Sequence, residues 1–205
     1  MGPLSSSGDR AGMLLVQMQP PTTMEDEFHA WYDTEHVPER EVVPGFLTAA
    51  RFVCVAGWPR YMACYDLSSL GVLEDEAYKR IGGPNLSIWS KRVIARVVGY
   101  ERLELSQAHP AGDALVEPGN GKVMLRFATP DRDQVTRGAE ALAAQCPSAQ
   151  LRVFENALPA DQSTVMLDAP ALELIPEWTP TELAEALGDA APQLVGVWRY
   201  RRYRR

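Results

Sequence analysis

Short apolar runs alternate along this chain with stretches of helical period, and they do so in a recurring order. Met13-Leu-Leu-Val-Gln-Met-Gln-Pro20 is a compact apolar run stopped by a Pro pair, which predicts a buried strand. Thr22 and Thr23 offer an N-cap, and Glu25, Asp26 and Glu27 follow in the first turn, where a helix dipole favours carboxylates. That helix is expected to run to about His36, because Pro38 and then Pro44-Gly45 should end it. Phe46 to Val55 and Arg60 to Leu67 are β-branched and aromatic, and Gly57-Trp58-Pro59 between them predicts a hairpin. Gly71 to Arg80 reads as a short helix with a Gly82-Gly83-Pro84 stop. Asn85 to Lys91 reads as a loop with a helical turn, and Ile94 to Leu105 as a long strand. The order is β-α-β-β-α-β, the split βαβ pattern.

The same order returns after a stretch rich in Gly, Pro, Ala and acidic residues. Lys122 to Phe127 reads as a strand, and Asp131 to Gln145 as a helix with Asp131 at its N-cap. Gln150 to Asn156 and Thr164 to Leu174 read as strands, with Pro170 placed at an edge or bulge. Thr179-Pro180-Thr181-Glu182 opens a helix, and Leu194 to Tyr203 is the final strand. Leu14 to Pro20 corresponds to Met124 to Pro130, and Val97-Val98-Gly99 to Leu194-Val195-Gly196, so the second copy is the shorter one. The chain therefore divides into a lead-in (1–12), a first ferredoxin-like unit (13–105), a linker (106–121) and a second unit (122–205). A four-stranded antiparallel sheet with helices on one face leaves its other face apolar. Two such sheets can bury those faces together. The expected fold is α+β, two tandem βαββαβ units packed sheet to sheet as a barrel whose interior can hold a ligand.

Charge changes the picture chiefly by exclusion. The net charge is −7 at pH 7, which argues against a general nucleic-acid binder. No apolar run reaches the roughly 20 residues needed to cross a bilayer, and Met1 to Gly12 lacks the apolar stretch of a signal peptide. Cys54, Cys64 and Cys146 have no metal-ligand spacing and suit a reducing cytoplasm. The five arginines between Arg199 and Arg205 run against the acidic average; they read as a solvated last strand with a frayed end.

Chemistry concentrates in Phe28-His-Ala-Trp-Tyr-Asp-Thr-Glu-His-Val-Pro-Glu-Arg40. At 100° per residue Met24, Phe28, Trp31 and Tyr32 share a core-facing side. Glu35 falls near its middle and His36 at its margin. A carboxylate among aromatics must be paired, protonated or turned to a polar cavity. One reading makes Glu35 and His36 an acid/base pair at the mouth of an apolar cavity, since an imidazole with a pKa near about 6.5 moves protons at neutral pH. The other makes them a helix end, with His36 on the C-terminal dipole and Glu35 paired to Arg40. His29, Asp33 and His36 can share one side, but that side is mainly polar flank and no metal site is expected. A second cluster, Gly82 to Arg92, offers Asn85, Ser90 and Arg92 to orient a ligand carbonyl or carboxylate, and Trp89 to stack on a ring; it also reads as a structured turn plugged by Trp89. There is no GxGxxG, GxxxxGK or GxSxG string.

Trp31-Tyr-Asp-Thr-Glu-His-Val-Pro-Glu39, Val43-Pro-Gly-Phe46, Ala50-Arg-Phe52 and Trp89-Ser-Lys-Arg92 together resemble the dimeric α+β barrel superfamily, especially EthD-like proteins with a W-Y-x-x-E-H-x-P helix end. The likeness covers residues 13 to 105; the second unit shares only the topology. The resemblance implies a pocket between sheet and helices. It also implies His36 as acid/base, with Glu35, Tyr32 and Trp31 beside it and Phe28, Asn85, Trp89 and Arg92 toward substrate. Superfamily members include cofactor-free monooxygenases, cyclases, isomerases, lyases and haem-degrading enzymes, and fold does not choose among them.

Three functions follow as expectations. The first is a cofactor-independent enzyme acting on a small aromatic or polyketide-like acid through His36, with Tyr32 or Arg92 stabilising negative charge. The second is a haem-binding or oxidative enzyme with His36 as axial ligand. The third is a non-catalytic ligand-binding or assembly protein that contacts its partner through the Arg-rich end. Small molecules are the expected partners, with a homodimer admitted and no nucleic acid or membrane.

Overall fold

The computed structural model describes residues 10–112, 118–128 and 131–204. Most of the lead-in, the middle of the linker, the Pro130 end of the internal match and Arg205 lie outside them.

The first strand, β1 (Gly12–Gln19), sends alternate side chains to two different interiors. Met13 and Leu15 point into the barrel, whereas Leu14, Val16 and Met18 point at the overlying helices. A strand buried on both faces reads as a continuous apolar run, which is why this segment shows no alternation. β3 (Tyr61–Leu67) pairs antiparallel with β1, Leu15 opposite Cys64, and β4 (Val98–His109) flanks it on the other side. β2 (Ala50–Ala56) completes the half-sheet β4-β1-β3-β2. In the second half, β5 (Gly121–Ala128), β6 (Gln150–Leu158), β7 (Gln162–Ala169) and β8 (Leu194–Arg202) are ordered β8-β5-β7-β6. β2 pairs with β8 and β4 with β6, so these eight antiparallel strands close on themselves and each has two neighbours.

The barrel interior is filled rather than hollow, which corrects the expectation of a ligand inside it. Met13, Leu15, Phe52, Met62, Met124, Phe154, Met166 and Tyr200 pack across it. One end holds a buried charge network: Arg152 bonds Asp66 of the first half and Asp168 of the second, and Lys122 bonds Asp168. Thr48 Oγ1 donates to the other Asp66 oxygen at 2.7 Å. Eight strands enclose just enough room for side chains this large.

Helices cover the outer faces. In the second half α5 (Arg132–Ala143) and α6 (Pro180–Leu187) pack on a core of Val, Leu and Phe. Asp131 caps α5, and Thr179 with Glu182 forms a capping box on α6, as expected from the residue types. In the first half α1 (Glu25–Trp31) runs without a break into a π-helical turn (Tyr32–His36) and then α2 (Val37–Glu41). Pro38 therefore does not end the helix near His36. Within the widened turn Val37 N–H reaches back to Tyr32 O, and Pro38, which has no N–H to satisfy, falls in the first turn of the next segment, where proline is tolerated.

Other boundaries shift as well. Gly71–Arg80 resolves into a 3₁₀ turn (Leu70–Glu74) and α3 (Glu76–Lys79). The segment read as a loop with a helical turn holds a true helix, α4 (Ile88–Ile94), capped by Ser87, whose Oγ accepts Ser90 N–H. β4 continues through His109, into the stretch read as linker. β7 stops at Ala169, just before Pro170. Most of the Arg-rich end is built into β8: Arg201 pairs with Glu173, and Arg199 donates to the Ile175 and Pro176 carbonyls.

Candidate active site

The widened turn decides where the helix side chains go. It packs Trp31 and Tyr32 around the imidazole of His36, with ring centroids 4.1 and 5.2 Å away. His36 is 8 % exposed, and its Nδ1 is buried without a hydrogen-bond partner. Burial holds its pKa well below the usual imidazole value, and the positive charges of Arg40 and Arg51 push in the same direction. The ring is therefore neutral at pH 7, with one nitrogen free to accept a proton.

His36 forms part of the wall of a cavity of about 600 Å³ between the outer face of β1, the β3–β4 region and the segment from Leu73 to Leu86. Leu14, Val16, Met18 and Ile94 make its floor and sides aliphatic. Polar groups converge on it from four further elements. Arg40, on α2 and 3 % exposed, donates through Nη1 to His36 O at 3.1 Å and to Glu39 at 3.0 Å. Tyr65, on β3 and 1 % exposed, presents a hydroxyl without a partner, and burial raises its pKa well above that of a free phenol. Arg102, on β4, donates to Tyr78 Oη at 2.9 Å while Glu104 holds its other nitrogens. A phenol that accepts from a guanidinium keeps its own proton to donate. Tyr100 and Asn85 complete the rim, although the Asn85 amide also donates to Lys79 O at 2.8 Å.

Of the residues expected to form the site, His36 and Asn85 reach the cavity. Phe28, Trp31 and Tyr32 are core residues behind His36. Tyr32 Oη lies 4.0 Å from Met18 Sδ, and the Tyr32 ring carries Arg51 on its face at 4.3 Å. Glu35 faces away from the imidazole: Oε1 accepts Ser87 Oγ at 2.6 Å and Ser90 Oγ at 3.1 Å, and Ser90 in turn accepts Trp31 Nε1 at 3.0 Å. It clips the start of α4 to the π turn, so neither the Glu35–His36 pair nor the Glu35–Arg40 pair forms. Trp89 and Arg92 clip α4 to α1 instead, both donating to Glu27. A helix at α4 explains this, because it turns both side chains outward along α1 rather than back toward His36.

His29 lies apart from His36. Arg51 Nη2 meets its Nδ1 at 2.7 Å, Arg51 Nη1 bonds Asp33, and Tyr203 stacks on the imidazole at 4.6 Å. The structure thus shows no cluster of metal-ligating side chains among the described residues. Arg40, Tyr65, Tyr78 and Arg102 went unnoticed as site residues because they sit on four separate elements; strand pairing through β1 brings Tyr65 and Arg102 together, and helix packing adds Arg40 and Tyr78. The signal available was parity: Leu14 and Val16 face the helices, so Tyr65, opposite Leu14, faces them too.

A more open groove of about 840 Å³ lies at the barrel end beside Thr48, Asn120, Arg202 and Arg204. Its lining holds no histidine and no buried carboxylate–imidazole pair.

No protein-family model matches this chain. No curated protein matches it either. Solved structures do match over nearly its whole length. An anthrone oxidase-like protein is 12 % identical with a TM-score of 0.64, over 98 % of this chain and 94 % of that one. A putative monooxygenase from Lactobacillus acidophilus NCFM is 11 % identical with a TM-score of 0.58, over 94 % of each chain. A mutant chlorite dismutase from Candidatus Nitrospira defluvii is 9 % identical with a TM-score of 0.60, over 97 % of this chain and 93 % of that one. At this identity the likeness is one of fold: this chain has the dimeric α+β barrel architecture, with both halves in one polypeptide.

Proposed function

We propose that this protein is a small cofactor-independent enzyme that binds a small aromatic or polyketide-like acid in the first-half cavity and removes a proton from it with His36. The observation that carries the reading is a neutral, buried imidazole with an unpartnered nitrogen at the wall of an apolar cavity. A general base of this kind contributes about 10²–10⁴ in rate. The negative charge left on the substrate would be met by the Tyr78 hydroxyl that Arg102 orients, a role first expected of Tyr32 or Arg92. Enolising isomerase, cyclase and lyase chemistry begins with such a step. So does oxygenation of a carbanion, the outcome that the anthrone oxidase-like and monooxygenase neighbours favour. In a decarboxylation the same imidazole, protonated, would return a proton to the carbanion left by loss of CO2. Kinship with EthD-like proteins, which the Trp31–Glu39 string suggests, is part of this proposal, as are a cytoplasmic location for a chain with three free cysteines and a possible homodimer. The test is exchange of the acidic protons of aryl keto acids with solvent deuterium, followed by NMR. Wild type should catalyse exchange, and His36→Gln should lower it by about 10²–10⁴. Equal exchange by both variants would remove His36 from the role.

A second reading keeps haem. His36, a buried imidazole on the cavity wall, would hold the iron, and Arg40 would meet a porphyrin carboxylate. The group would supply one-electron and oxygen chemistry. Titration with hemin decides this: a Soret shift lost in His36→Ala supports it, and an unshifted spectrum dismisses it.

A further inference from the structure

Two polar groups in the first-half cavity are buried with nothing to bond: His36 Nδ1 and Tyr65 Oη. Leaving such a group unsatisfied is unfavourable, so two on one cavity call for a cause. Beside them lies Arg40, buried on an apolar wall. Among the described residues both of its hydrogen bonds within the chain use Nη1. Nε and Nη2 are left to meet whatever the cavity holds. Arg102 is a poorer candidate for this task, because Glu104 and Tyr78 already occupy its guanidinium.

These groups form a pattern of donors and acceptors. Arg40 and Tyr65 present N–H and O–H donors, and a neutral imidazole presents one acceptor and one donor nitrogen. A ligand that satisfies them carries a negatively charged oxygen and, close by, an acidic hydrogen. Tyr65 and Tyr78 both line the cavity, and each packs on the ring of Phe46 outside its lining, at 5.7 and 5.6 Å, which gives the wall aromatic surfaces for a flat molecule. We infer that Arg40 and Tyr65 are the anion anchor of the cavity, and that its substrate class is a planar aromatic acid with a hydroxyl or enolisable carbonyl adjacent to the anionic group. This rests on the function proposed above, and it assigns the end of the substrate that His36 does not touch.

The probes are 2-hydroxybenzoate and its uncharged analogue 2-hydroxybenzamide, titrated by calorimetry into wild type, Arg40→Gln, Tyr65→Phe and His36→Gln. A charge-assisted hydrogen bond is worth about 1.5–3 kcal/mol, so wild type should bind the anion about 10–100-fold more tightly than the amide. Arg40→Gln should bring that ratio close to one. Tyr65→Phe should weaken both ligands by about 2–10-fold and leave the melting temperature level or higher, since an orphan hydroxyl is gone. Should Arg40→Gln fail to fold, Arg40→Lys replaces it; a point charge without the planar fork should reduce the ratio without abolishing it. A wild-type ratio near one, a ratio unaffected at position 40, or no binding of either probe would overturn the assignment. His36→Gln separates the two readings. If it keeps the ratio while wild type shows no deuterium exchange, the anchor stands and the base fails. Exchange that depends on His36 but shows no preference for anions would leave the base and remove the anchor.

Discussion

His36 and Glu35 are neighbours in the chain and opposites in environment. The imidazole is sealed among Trp31, Tyr32 and the cavity, and the carboxylate is turned to the serines of the α4 cap. Because burial lowers the His36 pKa in the folded protein, the folded state resists a proton that the unfolded chain accepts below about 6.5. The contribution to stability is therefore absent above that pH and turns unfavourable as pH falls toward the folded value. His29 shifts the same way and adds to the effect. Urea denaturation midpoints should drop between pH 7 and pH 5 in wild type and drop less in His36→Gln; identical pH profiles would contradict this. Glu35→Ala should act on stability alone. It leaves the Ser87 and Ser90 hydroxyls short of an acceptor, costing about 1–3 kcal/mol. For a chain of this size that lowers the melting temperature by about 2–12 °C, at roughly 2–4 °C per kcal/mol. Binding of 2-hydroxybenzoate at a temperature where both proteins are folded should not change; a binding defect without a thermal one would return Glu35 to the site.

At the scale of elements, the helix-to-helix passage through Tyr32–His36 sets the aim of the site. A π turn takes more residues than an α turn, so everything after it is rotated relative to a continuous α-helix. Deleting the exposed Thr34 would shorten that turn and swing His36 and Arg40 away from the cavity wall. Circular dichroism should remain nearly unchanged while ligand binding is lost, and retained binding would show that the turn is incidental. As a control far from the cavity, Thr179→Ala breaks the α6 capping box and should cost about 0.5–2 kcal/mol in stability with no effect on ligand. The caps and strands of the second half were legible in the sequence because each depends on residues close together: Asp131, Thr179-Pro180 and the apolar run after Gly121. The π turn was not legible, since Pro38 ordinarily stops a helix and no local residue type signals a widened turn. The outward direction of Trp89 and Arg92 was hidden for a related reason. The helical turn expected between Asn85 and Lys91 begins later and runs further, as α4, which then lies against α1.

At the scale of the molecule, duplication with closure explains both the fold and its asymmetry. Neither half-sheet is finished alone: β2 and β4 would be open edges without β8 and β6. The buried network of Asp66, Arg152, Asp168 and Lys122 joins the halves through the barrel interior. Removing Arg152 would leave buried Asp66 without its cation and Asp168 with Lys122 alone, so Arg152→Ala should cost about 3–5 kcal/mol, more than any surface pair. Unfolding should remain a single transition, because the halves share one closed sheet; two separate transitions would contradict that account. The outer core of the second half is built from residues such as Val123, Leu125 and Phe127, whereas the first half lines a cavity with His36, Arg40 and Tyr65. The missing Trp-Tyr…Glu-His string in the second copy put a second site in doubt, and the polar groups of the cavity mark where the first half differs.

The measurement that bears most directly on this account is a crystal structure with the aromatic acid that most raises the melting temperature in a screen. An acid at about 100 times its Kd adds roughly 2.7 kcal/mol. That corresponds to about 5–10 °C for a chain of this size. The account predicts electron density in the first-half cavity, with the anionic oxygen at Arg40 and Tyr65 and the acidic hydrogen turned toward His36. Density confined to the groove at Arg202 and Arg204, with the first-half cavity empty, would contradict it.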